Sequence, residues 1–332
     1  MELYRNAGKK AVALLDPFGV PAKAFLIGIQ HDSGGKVDAD LTPELVDQHL
    51  HFYSGVLRFV PSLKSQLDTM SPARLSKIVQ MITKGMSEGR STDLGSVKHK
   101  GIKYVPLTMN SKSDALDPSI PEVEDKSMRG IFHPQLAHFM CPAKKLAQYD
   151  EDPTAGMAAL QAGEISMKAS KWPAGFYEEG TMYDPEDKTK GLFRNHIVTR
   201  FYLHLFVGPS AVMNESHTRK ASKPSKNRAW DLRSVDRYII AYVHIIAYST
   251  LSQAQQWTQV IGNMDLRDLY WRIVEMLEDK ADPWVEDTLA WWNRLSKSNR
   301  SADVKKYDKS DSSDDDMAQV HAQRASHQSE PQ

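Results

Sequence analysis

From Thr42 onward the apolar positions fall into helical spacing: Val46, Leu50, Tyr53, Leu57, Val60, Leu63 and Leu67 recur at intervals of three and four. Thr42 suits an N-cap and Pro43 the first helical position, while Pro61, inside the pattern, predicts a kink or a split. A second helix is expected after Ser71-Pro72, with Leu75, Ile78, Val79, Ile82 and Met86 on one face and Gly89 as its stop. After Gly191, the pairs Ile197-Val198, Phe201-Tyr202 and Leu205-Phe206 repeat every four residues until Gly208-Pro209 ends the run. Ser234 to Leu251 is apolar nearly all round, which assigns it to the centre of a core. Two further helices follow, one on Leu266, Leu269, Tyr270, Ile273, Val274 and Leu277, the last on Trp284, Val285, Leu289, Trp291, Trp292 and Leu295.

Elsewhere the pattern breaks. Residues 1–40 give no firm element: Ala24 to Ile29 (AFLIGI) reads as a short strand or a buried loop, and Asp32 to Gly35 (DSGG) as a breaker. Residues 106–125 lose all periodicity, carry three prolines, and hold five acids against Lys112, a long acidic loop. Gly130 to Pro142 is aromatic and bounded by proline, and reads as packed but irregular. Trp172, Phe176 and Tyr177 around Pro173 and Gly175 suggest a loop pinned to the core by its rings. Residues 297–332 are too polar to offset their ordering entropy and are expected to be disordered. The fold class is therefore mainly α. The expected architecture is a single irregular helical domain over 41–296, of seven or eight helices, with the inserted loop 106–125 and the tail.

Composition narrows the class without naming a reaction. The chain has 332 residues, 41% hydrophobic and 25% charged, and 42 basic residues balance 42 acidic ones. No global positive field argues for nucleic acid as the default partner. One cysteine, Cys141, leaves no internal disulfide and points to a reducing, intracellular setting, nucleus or cytoplasm. The first ten residues lack the apolar run of a secretory signal. The longest strongly apolar stretch, Tyr238 to Tyr248, is 11 residues and too short to span a bilayer. No cofactor is implied.

The candidate chemistry is weighed segment by segment. Ile27 to Val37 superficially resembles a phosphate-binding loop, but Gly28 stands one residue too early and Val37 replaces the required hydroxyl. His133, His138 and Cys141 cluster within nine residues as weak metal-ligand candidates, yet their spacing lacks a two-by-two ligand pattern, so packed side chains are the preferred reading. Glu178, Glu179, Asp184, Glu186 and Asp187 put five acids and no base into ten residues. Paired carboxylates can hold a divalent metal or transfer protons, which makes Glu178, Glu179, Asp184 and Asp187 the catalytic candidates of a metal-dependent hydrolase or nuclease. A turn leading into the helix after Gly191 is the favoured alternative there. Residues 217–237 carry Arg219, Lys220, Lys223, Lys226, Arg228, Arg233 and Arg237 against two aspartates, a net charge of +5. Such a basic loop suits contact with an acidic partner, nucleic acid or protein. Ser312 and Ser313 each have an acid three residues on, a pattern that acid-directed kinases accept.

Several blocks together carry a family resemblance: Gly89 to Lys98 (GRSTDLGSVK), Cys141-Pro142, Trp172-Pro173 with Phe176-Tyr177, Tyr183 to Asp187 (YDPED), Gly191 to Arg194 (GLFR), Phe206 to Val212 (FVGPSAV) and Leu289 to Arg294 (LAWWNR). In this order, over about residues 75–295, the chain resembles an uncharacterised domain-of-unknown-function family abundant in mushroom-forming fungi. The resemblance implies an intracellular fungal protein and supplies no activity. Within the first block, Arg90 and Asp93 are expected just past a helix end, as an ion pair shaping the turn. The leading functional expectation is a non-catalytic interaction module whose basic loop engages an acidic partner, with the metal-dependent hydrolase as the alternative and no membrane involved.

Overall fold

The computed structural model describes residues 1–35, 41–109, 111–121, 125–212 and 224–295. The fold is mainly α, as expected. Fourteen α-helical segments lie among the described residues. They are α1 (Glu2–Leu14), α2 (Pro21–Asp32), α3 (Pro43–Phe59), α4 (Pro61–Lys64), α5 (Pro72–Val97), α6 (Pro134–Met140), α7 (Leu146–Glu151), α8 (Pro153–Ala162), α9 (His196–Tyr202), α10 (Pro209–Val212), α11 (Lys226–Ala229), α12 (Arg237–Leu251), α13 (Leu266–Met276) and α14 over 283–295. The excess over seven or eight reflects proline. Eight of the fourteen segments, such as α4 after α3, open on a proline, which ends one run and supplies a preset φ for the next. Two short antiparallel strands, β1 (Val260–Ile261) and β2 (Met264–Asp265), pair Val260 with Asp265 before α13.

Capping follows the sequence signals. Thr42 Oγ1 accepts from the Leu45 N–H at 3.4 Å, and Ser71 Oγ from Arg74 at 3.4 Å. Asp236 and Asp265 each take two backbone N–H groups at the starts of α12 and α13, satisfying donors that a helix leaves without partners. Every residue of α12 from Ile239 to Leu251 is buried, and α13, α9, α1 and α5 pack around it. The apolar side chains form one contiguous cluster reaching from Ala7 to Trp292.

The N-terminal segment corrects the first expectation. Residues 1–35 are two helices rather than an unplaced stretch, and AFLIGI lies within α2. Phe25 and Gly28 of this segment pack against Tyr53 of α3, so packing decides a segment whose local pattern is ambiguous. Gly89 likewise does not stop α5, which continues to Val97. A Cβ on Gly85 would stand 2.0 Å from the Arg5 carbonyl oxygen, and one on Gly89 would stand 3.2 Å from Lys9 Cα. Gly8 of α1 is equally close to Ile82 of α5, at 2.1 Å. These glycines let two helices cross almost backbone to backbone.

Arg90 and Asp93 therefore sit inside a helix, and they do not pair. Arg90 donates to the Pro17 carbonyl at 2.6 Å and stands 5.7 Å from the Trp257 ring, while Asp93 bonds Lys226 and Tyr242. The 130–142 block is also more regular than expected, because α6 occupies most of it.

Three of the quoted sequence blocks converge in space. Ala143 N–H donates to the Trp172 carbonyl at 2.9 Å, and Ala174 N–H to that of Cys141 at 2.7 Å. On the other side, Glu178 N–H donates to Gly191 at 2.8 Å and Phe193 N–H to Phe176 at 2.7 Å. Residues 172–178 are thus laced between 141–143 and 191–193. Phe193 adopts a left-handed φ of 64°, and the Trp292 indole N–H donates to its carbonyl at 3.0 Å. A bulky residue in that region is strained unless its surroundings over-determine it, and here the Phe176 bond, the Trp292 bond and full burial do so.

Candidate small-molecule cavity

Next to this lacing lies a half-open cavity of about 390 Å³. Its walls come from six stretches: residues 105–107, Asp114, α6, residues 143–153 around the α7 to α8 corner, residues 174–183, and the start of α9. Each wall has a local reason to be where it is. Asn195 caps α9 by accepting from the Ile197 N–H at 2.8 Å, and its amide donates to the Tyr177 carbonyl at 2.7 Å. Arg200 spreads its guanidinium over three carbonyls, Tyr104 at 2.8 Å, Pro106 at 2.5 Å and Leu107 at 2.7 Å, and so pins the opposite wall. The acidic segment is tied down at the rim as well. Gln135 of α6 accepts from the Asp117 N–H at 3.0 Å, and Asp114 accepts from the Thr108 N–H at 3.0 Å.

The polar lining is one-sided in charge. Asp114, Asp150, Glu178 and Glu179 line the cavity, and among the described residues no lysine or arginine does. Phe139, Tyr149, Tyr177 and Tyr183 add aromatic surface, with the rings of Tyr177 and Tyr183 edge to face at 6.2 Å. Hydrogen bonds from Ser113 and Thr108 hold the Asp114 carboxyl below its ordinary range.

Two histidines face carboxylates across this lining. His138 Nε2 is 3.3 Å from Asp150 Oδ1, and His196 Nδ1 is 3.8 Å from Glu179 Oε2. His196 Nε2 stands 3.1 Å from the Val105 carbonyl, which can only accept, so the proton of the neutral ring belongs on Nε2 and Nδ1 keeps its lone pair. Burial pushes the His196 pKa below that of an ordinary imidazole, and the nearby Arg200 adds to the effect against the Val105 bond and Glu179.

The predicted site residues separate. Glu178 and Glu179 reach the cavity, whereas Asp184 and Asp187 fold back onto their own turns: Asp184 accepts from the Glu186 N–H at 2.9 Å, and Asp187 from Thr189 N–H and Oγ1 at 3.1 and 2.7 Å. Among the described residues no group of three His, Cys, Asp or Glu is arranged to hold a metal ion. His133 is tied to the Pro118 carbonyl at 2.7 Å, and burial pushes the Cys141 thiol up to about 12, so it stays a thiol at neutral pH. Of the three weak metal candidates only His138 lines the cavity.

The basic segment is drawn partly inward. The Lys226 ammonium binds Asp93 and stands 5.4 and 5.2 Å from the rings of Phe206 and Trp230. Arg237 pairs with Glu278 at 2.8 Å, and Arg233 with Asp231 at 3.4 Å. Arg228 is exposed. Arg219, Lys220 and Lys223 lie outside the described residues, as do Ser312, Ser313 and the rest of the predicted disordered tail.

Sequence reasoning missed Tyr149, Asp150 and Asn195. They carry no motif, because the cavity is assembled from stretches up to ninety residues apart. His196 follows the Asn195 cap of an apolar helix, a signal that describes the helix rather than the site. No match to the chain was found among curated proteins or among solved structures. A family model does match, across residues 84–295 and through every wall of the cavity. The chain belongs to that family, a family of unknown function (DUF6698).

Proposed function

We propose that this chain is a small-molecule binding protein whose cavity takes a cationic, amine-bearing ligand. The observation that carries this reading is the pairing of four carboxylates with aromatic walls in one concave site that, among the described residues, has no lysine or arginine in its lining. A site of this kind attracts a cation twice, by the field of the carboxylates and by the negative faces of the rings. Isothermal titration of the full chain with a panel of diamines and quaternary ammonium compounds, set against dicarboxylates of similar size, tests it. Saturable binding of the amines alone, weakened about tenfold or more by Glu179→Gln, is expected, since one lost charge partner is worth about 1.4 kcal/mol or more. Equal or better binding of the dicarboxylates overturns the reading.

The charge of +5 over residues 217–237 supports a second reading, an intracellular interaction module that docks an acidic partner, nucleic acid or protein. With Lys226 paired to Asp93 and Arg237 to Glu278, that docking falls chiefly to Arg219, Lys220, Lys223 and the exposed Arg228. Fluorescence anisotropy against duplex DNA over a salt series checks it. An affinity that falls by about 0.9 log units per phosphate contact for each decade of salt, and that is lost on charge reversal at Lys220 and Lys223, is the supporting result.

A further inference from the structure

A second, smaller cavity of about 90 Å³ lies at the C-terminal end of α12, bounded by Leu94, Gly95, Lys98, Thr250 and Trp257 together with Lys126. Lys126 follows the acidic segment directly, yet it turns inward and is only 6% exposed. Its Nζ donates to the carbonyls of Ser249 at 2.7 Å and Ala254 at 2.6 Å, which close the end of α12. No carboxylate among the described residues pairs with it: the adjacent Asp125 is engaged by Ser127 at 2.5 Å and by Gln255 at 2.6 Å. The charged groups that act on it are instead the cations Arg129 and Lys98.

A buried lysine normally keeps its proton by finding a carboxylate, and this one has two carbonyls and two like charges. A neutral amine has two N–H groups and one lone pair, so two carbonyls satisfy both donors and leave the lone pair free. Burial, reinforced by Arg129 and Lys98, brings Lys126 down to about 7, so a large share is free amine at neutral pH. The cavity has room for a molecule of a few heavy atoms, a water's share of volume being about 30 Å³.

We propose that Lys126 is a carbamylation site, at which carbon dioxide adds to the buried amine in this cavity. The nitrogen lone pair forms a bond to the carbon of CO2, one C=O π pair moves onto oxygen, and one N–H proton leaves to solvent. The nitrogen keeps its other N–H for one of the two carbonyls, and no electron donor or acceptor is required. The same two cations that oppose an ammonium favour the anionic carbamate, so the local field acts in one direction on both.

Chemical trapping tests the assignment on the folded, full-length chain. The protein is equilibrated with 13C-labelled bicarbonate and CO2 slightly above neutral pH, alkylated with an oxonium reagent that esterifies carbamates, digested and examined by mass spectrometry. The labelled ester is expected on Lys126 at an occupancy at least about tenfold above that of any surface lysine, because an ordinary lysine near 10.4 holds very little free amine at that pH. Lys126→Arg removes this signal and leaves the background label on other amines unchanged. Label on the N-terminal amine and surface lysines with none on Lys126 of the wild-type chain overturns the proposal, whatever the variant does.

Discussion

Around the larger cavity, Glu178 and Glu179 stand at the surface with no lysine or arginine paired to them among the described residues, whereas Lys226 and Arg237, from an equally charged stretch, direct their charges onto Asp93 and Glu278. Both regions read alike in sequence, as runs of one sign. The difference lies in what surrounds them. The carboxylates sit on a laced segment whose backbone is already satisfied, so their side chains are free to face water and a ligand. Lys226 instead sits beside Phe206, Trp230 and the buried Asp93, where an unpaired charge would be expensive. Charge density in a sequence therefore shows where charge is, and the tertiary environment decides whether it remains available.

The largest expected effect breaks the inward-facing cluster. Asp93→Ala leaves the Lys226 ammonium and the Tyr242 hydroxyl without their acceptor and is expected to destabilise the chain by about 3–5 kcal/mol in urea unfolding. The double substitution Asp93→Asn with Lys226→Met recovers most of that loss, since it removes both charges together. A single substitution within about 0.5 kcal/mol of wild type would show that this cluster is no more buried in effect than the cavity rim.

Acid is expected to act next, through a histidine that belongs to neither charge cluster. His244 is fully buried on α12 against Phe176, Phe193 and Trp292, and burial lowers it to about 4. A base held below its unfolded value contributes stability that is complete above pH 6.5 and is lost as the pH falls through about 4. That contribution is up to about 3 kcal/mol. Unfolding midpoints measured across this window should fall more steeply in the wild type than in His244→Phe.

Asp16 tests the opposite sign. It is buried, it accepts from the Phe18 N–H at 2.7 Å, and burial raises its carboxyl to about 6 against the pull of that bond, Arg267 and Arg90. Its favourable contribution is present below the unfolded value near 3.8 and lost as the pH rises through about 6. Asp16→Asn should therefore gain up to about 3 kcal/mol over wild type at neutral pH and nothing near pH 3.5, as read by urea titrations at the two pH values.

At the cavity the smallest stability effect is expected. Glu178→Gln and Glu179→Gln should each stay within about 0.5 kcal/mol of wild type in thermal unfolding, because exposed carboxylates contribute little. A loss comparable to that of Asp93→Ala would assign these acids a structural task and erase the contrast.

Much of the helical frame was legible. Leu266 to Leu277 and the tryptophans of α14 have no competing period, and Asp236 and Asp265 cap where the sequence turns helical. Gly89 misled because glycine ends helices by its φ freedom and equally admits a crossing helix by its missing side chain, and only the position of Lys9 distinguishes the two. AFLIGI misled because six apolar residues have no period of their own. Of the site, Glu178 and Glu179 were visible as acids. Asp184 and Asp187, identical in kind, were spent on turns.

By itself the sequence determined the helical class, the central position of the apolar run from Ile239 to Leu251 and the charge of each segment, because propensity, period and charge are local properties of neighbouring residues. The tertiary structure alone decided that α1 lies on the glycines of α5, that Lys226 meets Asp93 across 133 positions of chain, that Lys126 turns inward, and that six separate stretches enclose one acidic cavity. Those outcomes depend on which surfaces exclude water together, and water is excluded by contacts between residues far apart in the chain.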